Sequence, residues 1–253
     1  MLLVHAYENP LMYVDQPVSA IRFEDEQIRL SAEKKLNALR TKIVKEYPDL
    51  KVDFLLLEGV SYDQLAVAAE QHQVDLIVMG TTGTTKLQRL LMGSTTAHMI
   101  QRANCPVLCV PRNATFKGIK KIVFSTDLHE DNIRSVAGLA GFAKHFDAEI
   151  VFLYVDDKHL VHSDEAIARM TARIRSRIKY PKISGYISKD PHVTKGINFF
   201  LKKHPADLLV MFTHRKHFPE SLLHPSVTKM MSHETKIPLL AMKSSDVSAL
   251  TKV

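Results

Sequence analysis

"VDLIVMGTTGTTKLQRLLMGSTTAHMIQRANCPVLCV", residues 74–110, and "ADLLVMFTHRKHFPESLLHPSVTKMMSHETKIPLLAM", residues 206–242, lie over one another without a gap, 206 standing where 74 does, an offset of 132. Asp75 meets Asp207, Leu76 meets Leu208, Met79 meets Met211, Ser94 meets Ser226 and Pro106 meets Pro238. A gapless match of this length marks a duplicated unit. Each copy opens on a short apolar run, crosses a polar loop, enters a stretch that starts like a helix and closes on a second apolar run. Continuous apolar runs of this kind are strands buried on both faces, and the helix between them makes the pair parallel.

Outward from the repeat the same alternation continues. "LLVHAY" (2–7) reads as a buried strand, and a helix follows with Ile28, Ala32, Leu36, Leu39 and Ile43 on one face. "VDFLLLEG" (52–59) is a strand, and Ser61 with Gln64 forms a capping box that opens a helix through Ala69. After the closing run "CPVLCVP" (105–111) the pattern restarts with a strand at 120–127, a helix at 131–146, the strand "AEIVFLYV" (148–155), a basic helix and the strand "KISGYIS" (182–188). Asp190 as N-cap with Pro191 at the first helical position opens the next helix. The fold class is α/β, as two repeated doubly wound parallel-sheet domains covered by helices on both faces. The domains span 1–113 and 118–245, joined by the polar linker "PRNATFKG" (111–118). The second repeat places one strand and one helix before "AEIVFLYV", whereas the chain opens on the equivalent strand of the first. The first repeat is therefore expected to lack its initial strand and helix, with a natural protein that starts upstream of Met1. Within this chain, "LLVHAY" and "VDLIVM" would then pair directly, accept a segment from a second copy, or leave a gap between them.

Bulk properties limit the function. The 253 residues are 45% hydrophobic and 24% charged, as in ordinary globular proteins. No apolar run approaches the ~20 residues that cross a bilayer, and "MLLVHAYENP" has none of the features of a signal peptide. Cys105 and Cys109 would lie about 13 Å apart along a strand, at ~3.3 Å per residue, beyond the ~7 Å a disulfide spans. They read as buried thiols of a reducing cytoplasm. The net charge of +7 raises nucleic acid as a partner, with a local concentration in "ARMTARIRSRIKY" (168–180). There Ile167, Met170, Ile174 and Ile178 fall at helical spacing, with Arg169, Arg173, Arg175, Arg177 and Lys179 around them. Ser163, Asp164 and Glu165 suit the start of this helix and the basic residues suit its end. A solvated helix face accounts for them, and no nucleic-acid motif accompanies them.

The loop within the first copy carries the functional signal. Gly80 ends a strand, Gly83 follows, and Gly93 with Ser94 opens a helix. The C-terminal end of a parallel strand running to a helix N-terminus is where α/β proteins hold phosphates. Glycines permit close approach, and the hydroxyls of Ser94 and Thr95 add donors. A turn followed by a cap is the alternative reading of the same residues.

At this point the chain resembles the universal stress protein family in its tandem form. Gly80, Gly83, Gly93 and Ser94 match the family's nucleotide-loop pattern Gly-x2-Gly-x9-Gly-Ser/Thr at every spacing, and "LIVMG", "ST", "CPVLCVP" and "FSTD" (124–127) are similar to the family as well. The resemblance implies a five-stranded parallel sheet in the order 3-2-1-4-5 and, as in some members, ATP or AMP as ligand. It implies that Gly80, Gly83, Gly93, Ser94 and Thr95 hold ribose and phosphates, and that Asp127 is the adenine-side aspartate. Asp127 belongs to the second repeat, where Phe212, Arg215 and Pro225 replace the glycines and close the loop. Each repeat thus carries half a nucleotide site.

The expected function is a cytoplasmic stress-response regulator that binds adenine nucleotide through its first repeat and forms a homo-oligomer. A dimeric scaffold without nucleotide and a weak ATP hydrolase are the alternatives. No catalytic constellation stands out: His5 has no nucleophile beside it and reads as a core or strand-end histidine. His214, His217 and His224 read as polar loop residues in the second copy, since a metal site needs further ligands.

Overall fold

In the computed structural model the described residues are 1–7, 18–59, 61–81, 94–126, 132–157, 163–212 and 237–243. The chain forms two compact units, Met1–His72 and Gln73–Val253.

The first unit holds strands β1 (Leu2–Tyr7) and β2 (Asp53–Glu58) and helices α1 (Val18–Glu46) and α2 (Ser61–Gln71). β1 and β2 pair in parallel, from Leu2 opposite Asp53 to Tyr7 opposite Glu58. Gly59 N–H extends the ladder to the Tyr7 carbonyl at 2.9 Å, and its φ of +119° is a conformation glycine adopts without strain. On α1 the predicted apolar face is covered at Ala32 and Leu36, whereas Leu39 is exposed. His5 is exposed in the middle of β1, neither in the core nor at the strand end.

The second unit is a seven-stranded sheet. Its strands are β3 (Ile77–Gly80), β4 (Val107–Val110), β5 (Lys121–Thr126), β6 (Glu149–Asp156), β7 (Ile183–Lys189), β8 (Leu208–Phe212) and β9 (Leu239–Met242). They run in the order β3-β4-β9-β8-β5-β6-β7. Between them lie α3 (Ser94–Arg102), α4 (Asn132–Phe146), α5 (Ser163–Arg177) and α6 (Val193–Lys203). Counted within the second repeat alone, β7-β6-β5-β8-β9 is the order 3-2-1-4-5, parallel at every pairing. In the first repeat, β1 pairs with β2 in the first unit and β3 pairs with β4 in the second.

The offset found in the sequence holds bond by bond. Ile77–Gly80 stand opposite Val107–Val110, and Leu209–Phe212 stand opposite Leu239–Met242, each residue 132 positions on from its counterpart. The Ile77 N–H donates to the Pro106 carbonyl and the Leu209 N–H to the Pro238 carbonyl, both at 3.0 Å. β4 and β9 then join the repeats antiparallel, with Leu108 opposite its own equivalent Leu240, Val107 opposite Ala241 and Cys109 opposite Leu239. That register is a local two-fold axis through the Leu108–Leu240 pair, the isologous contact of a symmetric dimer made within one chain.

Alternation along the central strands divides the core. Ile122, Phe124, Ile150, Phe152, Leu208, Val210 and Phe212 face one side, where Val136 and Leu139 of α4 and Ile167 and Ile174 of α5 cover them. Val123, Val151, Leu153, Leu209 and Met211 face the other, under Ile197 and Phe200 of α6. α5 keeps the predicted face buried at Ile167, Met170 and Ile174. Its basic residues Arg169, Arg173, Arg175, Arg177 and the following Lys179 are all exposed, as predicted, while the Arg175 guanidinium also donates to the Ile183 carbonyl on β7 and Arg169 pairs with Glu165 at 3.2 Å. The N-cap of α6 is His192, two residues later than predicted, because the Asp190 carboxylate accepts the His192 N–H at 2.8 Å and makes a turn ahead of the helix.

Both cysteines are free and buried. Burial alone pushes the Cys109 thiol up to about 12. The folded protein therefore holds the proton at pH values where the unfolded chain gives it up. The stability linked to this thiol is complete below the ordinary thiol value of 9.0 and is lost as pH rises toward about 12. Native chain at pH 8 should react slowly with a thiol reagent and quantitatively once unfolded in guanidinium. Fast native labelling of Cys109, mapped by mass spectrometry, would contradict the buried assignment.

Candidate functional site

The site is built at the C-terminal end of β3. Thr81 continues the ladder past the strand, its N–H donating to the Val110 carbonyl at 3.2 Å. Gly80 is exposed, its φ lies outside the left-handed region, and a Cβ built on it meets no described atom within 4 Å. Neither its backbone conformation nor crowding by the described residues requires glycine there. What the glycine supplies is clearance from the described residues at the strand end.

α3 begins at Ser94, with Thr95 and Thr96 in its first turn. Thr96 is buried, and its hydroxyl donates to the Gly80 carbonyl at 3.1 Å. This bond ties the helix start to the strand end, so the first N–H groups of α3 and their dipole stand beside the clearance over Gly80. A neutral bond of this kind contributes about 0.5–1.5 kcal/mol, enough to bias the position of one helical turn. Thr81 is buried as well, and its Oγ1 has no hydrogen-bond partner among the described residues. Sequence reasoning assigned neither threonine a role. The available signal was their retention as Thr213 and Thr228 in the second copy.

Of the residues predicted for the site, the structure brings together Gly80 and the α3 start bearing Ser94 and Thr95. Gly83, Gly93 and Asp127 lie outside the described residues, as do His214, His217 and His224. Asp127 directly follows Thr126, the last residue of β5. Among the described residues no group of three or more His, Cys, Asp and Glu side chains could hold a metal ion, and no helix is long and apolar enough to cross a membrane.

The second copy has a different strand end. Phe212 stands where Gly80 does, buried, with its ring edge-on to Phe124 at 5.0 Å between centroids. The position that is open in the first repeat is part of the hydrophobic core in the second.

The sequence profile of the Universal stress protein family matches residues 1–111 and again residues 118–243. The chain belongs to the universal stress protein family, with two copies of its domain in tandem. Two universal stress proteins of Methanocaldococcus jannaschii are similar to it. One is 42% identical over 73 residues, which are 29% of this chain and 43% of the relative. The other is 35% identical over 96 residues, 37% of this chain and 59% of the relative. The matches thus span about half the length of these two relatives. The crystal structure of a universal stress protein from Archaeoglobus fulgidus shares the fold, with a TM-score of 0.73 at 15% identity, covering 96% of this chain and 85% of that one.

Proposed function

We propose that the chain is a stress-response regulator that binds an adenine nucleotide, ATP or AMP, through the loop of its first repeat. Gly80, Gly83, Gly93, Ser94 and Thr95 hold ribose and phosphates in this reading, while Asp127, which follows β5 four strands away from β3, belongs to the half-site of the second repeat. The observation that carries it is the contrast at one repeat position: clearance at Gly80 beside the α3 start, against the buried Phe212 in the copy. A glycine kept where none of the described residues needs one supports a ligand that comes close to the backbone. The two buried free thiols support a reducing compartment, hence the cytoplasm. The domains are read as 1–113 and 118–245, with homo-oligomerisation as the working state.

Calorimetric titration of the whole chain with ATP and with AMP tests the reading. The expected result is a single saturable site that Gly93→Pro abolishes, because proline removes an N–H and fills the approach. Binding that survives Gly93→Pro but is lost on changing Arg215 or Pro225 would place the ligand in the other repeat.

A further inference from the structure

β9 runs antiparallel to β4, so each step forward along it is a step back through the first repeat. Ala241 stands opposite Val107, and two residues on Lys243 lies beside the stretch that leads from α3 into β4. There its ammonium donates to the Ala103 carbonyl. Both residues are buried, Lys243 at 7% exposure and Ala103 at 2%. The Ala103 N–H donates to the Met99 carbonyl at 2.9 Å, so Ala103 closes the last turn of α3. Its carbonyl is one of those that a helix end leaves without an internal partner, and a cation beside it also suits the helix dipole.

The contact crosses the duplication in one direction. Lys243 belongs to the second repeat and α3 to the first. The equivalent of Lys243, 132 positions earlier, is Pro111, whose side chain has no donor. The helix that follows the glycine loop therefore receives the cation, and it comes from the repeat whose own strand end is filled by Phe212. α3 has nine residues, about 14 Å at 1.5 Å per residue. The Thr96 hydroxyl ties its start to Gly80, and Lys243 ties its end to β9. Held at both ends, the helix keeps its first N–H groups at a set place beside Gly80.

We propose that Lys243 is a positioning residue for the nucleotide loop: the second repeat supplies it to fix α3, and through α3 the N–H groups that meet the phosphates. The role rests on the nucleotide reading given above. Lys243 acts at the far end of the helix and touches no ligand. The second repeat, with its own loop closed, serves the first as a partner subunit built into the same chain.

Lys243→Met keeps the apolar stem and removes the ammonium, whereas Lys243→Arg keeps the charge and the donors. Calorimetric titration with ATP and amide exchange on the free protein are read together on the whole chain. A bond from a charged donor is stronger than a neutral one, so Lys243→Met should weaken ATP roughly tenfold. It should also speed exchange at residues 98–102 and leave residues 77–80 and 122–126 as protected as before. Lys243→Arg should restore both readings toward those of the unaltered chain. Equal ATP affinity in the unaltered chain and Lys243→Met would overturn the proposal. So would faster exchange spread over every strand with a lowered melting temperature, since Lys243 would then serve only the fold. A chain that binds no ATP before any substitution would sink the nucleotide reading instead, and unchanged exchange at 98–102 in Lys243→Met would still overturn the hold on α3.

Discussion

Phe124→Ala should lower the unfolding free energy by about 3–5 kcal/mol, the usual range for deleting a buried phenylalanine. Phe124 has 0% exposure on the central strand of the second repeat. Its ring meets Phe152 at 5.4 Å and Phe212 at 5.0 Å, both nearly perpendicular, so the truncation removes two edge-to-face contacts and leaves a cavity between strands that cannot collapse. Against a typical total of ~5–15 kcal/mol this is a large share. Urea denaturation followed by circular dichroism measures it, with Phe199→Ala as the control: Phe199 is exposed on α6, and its loss should stay within about 0.5 kcal/mol. Similar midpoints for the two variants would mean that the aromatic cluster does not hold the sheet together.

Gly80→Val should separate binding from folding. The backbone at Gly80 suits any residue, and the new Cβ meets no described atom, so none of the described residues opposes the side chain. Glycine in a strand costs roughly 0.5–1 kcal/mol relative to alanine, and valine suits the pleat better still, so the variant should be equally or more stable. Its isopropyl group fills the clearance that the proposed nucleotide needs, and affinity for ATP or AMP should fall by at least roughly tenfold, or 1.4 kcal/mol. The two effects have opposite signs. Melting temperature and calorimetry on one preparation read both, and a destabilised variant with unchanged affinity would show that Gly80 serves the fold.

The repeat made β3, β4, β8 and β9 legible, because one offset constrained four strands at once and the hydrogen bonds keep it. Strand ends were less legible. β3 starts at Ile77 and not at Val74 because its partner strand is preceded by Pro106, which has no N–H to carry the ladder back. Periodicity placed Leu39 with Ala32 and Leu36 on α1, but it reports which residues share a face and not how much of that face is covered. The Asp190 turn was read as a cap since both uses put the same carboxylate near a helix start. At the site, the glycine spacing was visible in the sequence. The Thr96–Gly80 bond joins residues on two elements, and a single sequence carries no sign of that contact.

The most direct test of the nucleotide loop is hydrogen–deuterium exchange of the whole chain with and without ATP, resolved by peptide. Binding in the first repeat should slow exchange across residues 80–98, where the Gly80 strand end and the first turn of α3 meet, and leave 212–230 unchanged. Protection confined to 212–230, or none in either loop at saturating ATP, would contradict the assignment of the nucleotide to the first repeat.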